Sequence, residues 1–365
     1  MRTIVQFIDN LRAGGKERQC VELVRSLAAR GGFRNVVVSM DREVFFQELH
    51  GLPNTEIRFV VRRSRHDPLV IWDVLRLWRV LRPELVTAWH VMPALYALPA
   101  CRLLGVPLVS TFIQDAPEPV PRRLARRARL AFAGSTLVVA NSRAGIAAYG
   151  PPPERTRLIY SGFDLGRRAW GDDPGWLRRQ FGIDHPLVVG MVATFSSFKD
   201  QPTLIRAAQR VLAQRRDVCF VLVGGGPTLE ACRTLVPPAL ARHILLPGRV
   251  GGPIERVVCG LDIGALASFT ESISNSVAEY MMFGLPVVAT DSAGIRELVT
   301  EGESGFLVPA GDDAAFAERL LRLIADPALR KQAGQAGRAF VERELPMPRI
   351  VDAFVAAYDS VAQRR

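Results

Sequence analysis

The chain has 365 residues, of which 48% are hydrophobic and 23% charged, with a formal charge of +11. That length exceeds one ordinary core and fits two domains of typical size, and the composition excludes a disordered or fibrous chain. The five cysteines (Cys20, Cys101, Cys219, Cys232, Cys259) are scattered and odd in number. With no C-x-x-C pair and no Cys/His ligand spacing, they read as reduced thiols in a cytoplasmic protein without structural zinc. The positive charge raises nucleic acid as a partner. However, only Lys16, Lys199 and Lys331 are lysines, and a uniform bias toward arginine reads as a compositional trait, not as a binding signal.

In chain order, residues 1–8 enter a strand directly, without the long apolar core of a signal peptide. Residues 16–29 follow with helical spacing of Val21, Val24, Leu27 and Ala28, and Gly31–Gly32 can end that helix. Further strands are predicted at 35–39, 85–88, 108–111 and 137–140. The run from Val86 to Phe112 is apolar enough to raise a membrane span, but His90, Arg102, Pro93, Pro99 and Pro107 interrupt it; it reads as strand, buried helix, strand. Arg122 to Arg129 forms a helix with arginines on one side and Leu124, Ala128 and Ala131 on the other. It is either a solvated face over a core or a contact for anionic headgroups or a phosphate-bearing acceptor. Breaks fall at Pro151–Pro152–Pro153 and between Gly166 and Pro174. The alternation then restarts, with strands at 187–192, 220–223, 243–245, 262–267, 287–290 and 306–308. Repeated strand–helix alternation implies mostly parallel sheets covered on both faces. The expected division is 1–168, 175–345 and a terminal segment 346–365 with helical periodicity.

The densest chemistry lies in Ser268–Phe269–Thr270–Glu271–Ser272–Ile273–Ser274–Asn275–Ser276–Val277–Ala278–Glu279. An apolar strand precedes it and a short helical run, closed by Gly284 and Pro286, follows. The pattern reads as strand, polar loop, helix N-terminus, with Glu271 in the loop and Glu279 in the first helical turn. Unpaired N–H groups at a helix start attract an anion. An anion site flanked by two hydroxyl-binding carboxylates suits a nucleotide-sugar. Ser276-x-x-Glu279 also fits a capping box, in which Glu279 only satisfies the cap.

Lys199 lies in the loop Val192 to Asp200. In a chain that uses arginine for almost every cation, a lysine there points to a compact ammonium on phosphate. Gly224–Gly225–Gly226–Pro227 follows a strand but fits neither G-x-G-x-x-G nor a P-loop. Gly14–Gly15–Lys16–Glu17 opens the first helix, where glycine lets backbone approach a ligand or merely makes a turn. His90 ends a strand, on the side of the sheet where ligands bind in such folds, although a lone histidine is more often structural.

Taken together and in this order, these segments resemble the retaining glycosyltransferases of the GT-B fold, family 4 (group 1), along nearly the whole chain. The resemblance implies an α/β fold of two Rossmann-like domains with mostly parallel sheets facing a central cleft. It also implies a C-terminal helix that crosses back to the first domain. The acceptor would bind the first domain and the donor the second. By the same resemblance, Glu279 binds ribose hydroxyls, Glu271 the donor sugar, and the loop at Ser274, Asn275 and Ser276 the sugar and pyrophosphate. Lys199 meets the pyrophosphate, and Gly14 and Gly15 reach it from the first domain. Four positions depart from the family: Ser272 for a common Gly, Thr194 for an Arg, Ile113 for a His, and Ser161 for a common Asn. Arg249, with Val250 beside it, is a candidate to replace the Arg; Gln114, Asp115 or His90 to replace the His. Lys199 and Glu271 are the expected catalytic groups.

The implied reaction moves a sugar from a UDP- or GDP-sugar to a glycan or lipid-linked acceptor, with retention and without metal or other cofactor. The setting would be cell-surface polysaccharide synthesis in the cytoplasm, with possible peripheral contact to an anionic inner membrane face and no nucleic acid. Competing readings are a GT-B nucleotide-sugar epimerase and a basic nucleic-acid-binding protein.

Overall fold

A computed structural model of the chain describes residues 1–12, 14–64, 67–112 and 119–362. The chain divides into two units, one of Met1–Asp164 with Leu345–Arg365 and one of Leu165–Glu344. The second unit is therefore inserted into the first, and the first crossing, between Asp164 and Leu165, falls just before the Gly/Asp/Pro-rich stretch that begins at Gly166.

The first unit carries β1 (Arg2–Ile8), β2 (Phe33–Ser39), β3 (Thr55–Phe59), β4 (Leu85–Trp89), β5 (Leu108–Phe112), β6 (Leu137–Ala140) and β7 (Thr156–Leu158). They form one parallel sheet in the order β3-β2-β1-β4-β5-β6-β7. The second unit carries β8 (Leu187–Val192), β9 (Val218–Val223), β10 (Ile244–Gly248), β11 (Ile263–Leu266), β12 (Val287–Thr290) and β13 (Gly305–Val308). These are also parallel, in the order β10-β9-β8-β11-β12-β13. Central strands such as β4, β5 and β9 are buried throughout, as helices on both faces require of a parallel sheet. The two strands without a sequence signal, β3 and β7, are the edges of the first sheet. β3 reads Thr-Glu-Ile-Arg-Phe and is half exposed; an edge strand lacks the continuous apolar run by which its neighbours are read.

One face of the first sheet is covered by helices Val70–Leu81, Val91–Leu104 and Arg122–Gly134, packed on Phe7, Val36, Val38 and Val86. The run 86–112 thus folds as β4, a buried helix and β5. No helix among the described residues is long and apolar enough to cross a membrane. The other face is covered by helices Gly15–Arg30 and Met347–Ala362, packed on Ile4, Ile8, Val37 and Trp89. Backbone bonds anchor the returning chain: Phe163 N–H donates to Leu345 O at 2.8 Å, and Met347 N–H to Phe163 O at 2.9 Å.

The returning helix also completes a buried polar network. Thr87 Oγ1 and Gln6 Nε2 donate to Tyr358 Oη at 3.0 and 3.4 Å, and Trp89 Nε1 donates to Gln6 Oε1 at 2.8 Å. Tyr358 and Gln6 are fully buried, so no water stands in for a lost partner. Tyr358→Phe should lower unfolding free energy by about 1–3 kcal/mol, the cost of stranding buried donors. A urea midpoint equal to wild type would show that the network contributes nothing.

Candidate active site

In the second sheet the strand order reverses between β8 and β11, the place where ligands bind open α/β sheets at strand C-terminal ends. The loops leaving these two strands are stitched together. Lys199 and Ser268 form an antiparallel bridge. Asp200 N–H donates to Ala267 O and Phe269 N–H to Phe198 O, each at 3.0 Å. Across this stitch Lys199 Nζ pairs with Glu271 Oε1, with both side chains largely buried. The two residues expected to carry the chemistry thus meet, although 72 positions separate them. Asp200 then caps the helix Gln201–Leu212 by accepting from Thr203 N–H at 3.2 Å, which fixes the base of the Lys199 loop.

Beside the pair starts helix Asn275–Met282. Ser274 is its N-cap, with Oγ accepting from Val277 N–H at 3.5 Å. Ser276 Oγ instead donates to Val192 O at 2.7 Å, and Val192 N–H donates to Tyr280 Oη at 2.6 Å. So no capping box forms at 276–279. Glu279 is the fifth helical residue, just past the first turn where the sequence put it. The first two N–H groups of the helix, on Asn275 and Ser276, have no acceptor among the described residues.

Ser272 is absent from the few non-glycine positions with positive φ, so the loop accepts a side chain where the family commonly has Gly. The close approach is made across the way: a Cβ on Gly294 would lie 2.3 Å from Ser272 O and 2.6 Å from Glu271 O. Gly294 was not among the sequence candidates. Arg249, just past β10, is exposed and has no ion pair among the described residues. Its stem lies over Gly225, where a Cβ would sit 2.8 Å from Arg249 Cγ. Gly225 O in turn accepts from Phe195 N–H at 3.0 Å. Arg249 therefore shares a rim with the loop that holds Thr194, and Val250 follows it, half-buried.

Glu279 is held by a residue that sequence reasoning missed. Arg167, in the short 3-10 turn Leu165–Gly171, pairs with Glu255 and, at 3.5 Å, with Glu279. All three side chains are almost wholly buried. Arg167 sits in a stretch whose composition signals a hinge, and its partners are far away in sequence, so no local pattern marks it.

In the first unit the order reverses between β1 and β4. Gly14 and Gly15 follow the one and His90 the other. Gly14 is extended and packs against a carboxylate: a Cβ there would lie 2.2 Å from Glu17 Oε2. Lys16 pairs with Asp9 and, at 3.2 Å, with Glu17. The helix start expected to take an anion is therefore already faced by an acidic side chain. His90 has φ +95° and ψ 167°, a conformation costly for any residue with a Cβ. Burial, and then Lys16, push its imidazole down to about 4, opposed by Asp9. Ile113, Gln114 and Asp115 lie outside the described residues. No group of three or more His, Cys, Asp or Glu is placed to hold a metal among the described residues.

The family model described as Glycosyltransferase Family 4 matches residues 13–167, and that described as Glycosyl transferases group 1 matches 186–326. This chain belongs to the GT-B glycosyltransferases. A D-inositol 3-phosphate glycosyltransferase of Frankia alni is 29% identical over 90% of each chain. One from Geodermatophilus obscurus is 30% identical over 69% of this chain, which spans 58% of that protein's length. The crystal structure of Anabaena Alr3699/HepE in complex with UDP superposes with a TM-score of 0.83 at 25% identity, covering 99% of this glycosyltransferase and all of that chain.

Two outcomes test the geometry. Arg167→Met removes the buried cation that pairs with Glu255 and Glu279 and should cost about 3–5 kcal/mol by chemical denaturation, as breaking a buried pair does. Adding Glu255→Gln should recover much of that loss. For His90 the folded imidazole takes its proton later than the unfolded one. Stability from this site is therefore full above pH 6.5 and falls as pH drops toward 4. His90→Gln should flatten the pH dependence of the melting temperature in that window, and an unchanged slope would show that His90 titrates normally.

Proposed function

We propose that the second unit of this glycosyltransferase binds a nucleoside diphosphate sugar at the β8/β11 crevice and transfers the sugar with retention. The observation that carries this is the Lys199–Glu271 pair standing beside the open N–H groups of Asn275 and Ser276. The ammonium and the two amides that form the helix start would together meet a diphosphate held there. Arg249 adds a guanidinium on the same rim, in place of the arginine that Thr194 lacks. These groups would stabilise charge as it develops on the departing pyrophosphate. The acceptor hydroxyl would pass its proton to that phosphate, with no separate base and no metal.

Glu279, oriented by Arg167, would accept from ribose hydroxyls, and Glu271 would hold a sugar hydroxyl while steadying Lys199. UDP is the favoured nucleotide, because the Anabaena protein's structure holds UDP; a GDP-sugar is the next choice. The acceptor would be a glycan or a lipid-linked sugar for the cell surface, met at the inner membrane face, with His90 and the β1/β4 end of the first unit on the acceptor side.

Thermal stabilisation by UDP-, GDP-, ADP- and dTDP-sugars, with the free nucleotides alongside, tests the donor site. A specific shift with one nucleotide series is expected. Glu279→Ala should weaken that shift yet keep the fold, because Glu255 remains to pair Arg167. Lys199→Ala should cut turnover by about 10²-fold or more, in the range for losing a charge-stabilising donor. Absence of any shift, or near-normal turnover of Lys199→Ala, would overturn the assignment.

A further inference from the structure

The positive charge of this chain is not spread along it. The first unit holds 27 Lys and Arg against 16 Asp and Glu, and the second holds 20 of each. The entire formal +11 belongs to the first unit, which excludes a uniform compositional bias as its cause.

Within that unit the two faces of the sheet differ. On the face covered by helices Gly15–Arg30 and Met347–Ala362, arginines are matched: Arg25 pairs with Glu22 and Asp164, Arg30 with Asp352, and Arg2 with Glu84 and Asp359. On the opposite face, helices Val70–Leu81, Val91–Leu104 and Arg122–Gly134 lie side by side over a shared core. Their outer surface shows Arg76 and Arg79 on the first helix and Arg82 at its end. Arg102 stands on the second, and Arg122, Arg123, Arg126, Arg127 and Arg129 on the third. All nine are exposed, and none pairs with a carboxylate among the described residues. The three helices carry one acidic residue, Asp73, which is taken up by Arg63 at 3.3 Å. Among the arginines stand large apolar side chains turned to solvent: Trp72 at 61% exposure, Val80 at 80%, Leu103 at 65% and Leu130 at 54%.

Unmatched exposed arginine is common at nucleic-acid surfaces and at anionic bilayers, and the apolar residues separate the two. Trp, Leu and Val projecting between cations add apolar area that a phosphodiester backbone does not bury but a headgroup boundary does. We propose that this three-helix face docks the protein on an anionic phospholipid surface, with the arginines on headgroup phosphates and Trp72, Val80, Leu103 and Leu130 in the interface. This deepens the membrane-face reading above, on which it rests for its setting; the docking itself stands on charge and exposure and is independent of the donor site.

The experiment is co-sedimentation of the full chain with vesicles of pure phosphatidylcholine and of phosphatidylcholine with 30% phosphatidylglycerol, at low and at physiological salt. Binding to the anionic vesicles is expected to exceed that to neutral ones at least tenfold and to weaken with salt. Replacing Arg122, Arg123, Arg126, Arg127 and Arg129 by Gln should lower it by tenfold or more, since each arginine near such a surface contributes roughly fivefold. Trp72→Ser should lower it severalfold at unchanged salt slope. Nucleotide-induced thermal shifts of these variants report the donor site separately and should match wild type, so loss of vesicle binding with intact shifts supports the docking face alone. Equal binding to both vesicle types, no effect of the five-arginine variant, or tighter retention on duplex DNA than on anionic vesicles at matched salt would overturn the proposal.

Discussion

A parallel sheet delivers every strand C-terminus to one edge, and where the strand order reverses the two departing loops move to opposite faces and leave a gap. In the second unit that gap is spanned by Lys199 and Glu271. Much of what surrounds it serves to hold the two loops at that separation. The Lys199–Ser268 bridge joins the backbones, Asp200 caps the following helix, and Gly294 lets a third segment close on the Glu271 carbonyl. A largely buried ammonium needs a carboxylate while no anion is present. The pair therefore keeps the ammonium oriented and in place, and in the proposed function it would exchange part of that interaction for a phosphate oxygen.

The same economy of position links the helix Asn275–Met282 to the sheet. Tyr280 accepts from Val192 N–H, Ser276 donates to Val192 O, and a Cβ on Gly264 would collide with the Tyr280 ring at 2.4 Å. The helix start is thereby tied to the last residue of β8, a central strand, and not to a loop. Groups mounted on regular elements keep tighter geometry than groups on loops, and here the amides, the ammonium and the carboxylate all refer back to two neighbouring strands.

Much of this was legible from the residues. Eleven of the thirteen strands announce themselves as apolar runs, because strands buried on both faces have little choice of residue. The two unseen ones, at 55–59 and 156–158, are edges and carry charge. Lys199, Glu271 and the loop to Ser276 were legible because strand, polar loop and helix start leave a local pattern. Arg167 was not: it lies in a stretch that composition marks as a hinge, and its role exists only through Glu255 and Glu279. Helix starts show the same limit. The sequence places Glu279 in the first turn and offers Ser276 as a cap, whereas packing against Val192 shifts the cap to Ser274. The net positive charge reads as diffuse along the chain until the units are known, and only then resolves into a neutral unit and a basic one.

The insertion of one unit into the other also has a bearing on how the protein is made. All of Leu165–Glu344 leaves the ribosome before Leu345 does, so the inserted unit is complete first and can fold as a whole. The first unit must wait, with one face of its sheet covered only by helix Gly15–Arg30, until the stretch that supplies Ile350, Phe354 and Tyr358 emerges. At translation rates of about 5–20 residues per second, that interval lasts on the order of ten seconds or more. Nascent chains of this enzyme should therefore depend on chaperones through their N-terminal half, although that half is synthesised first.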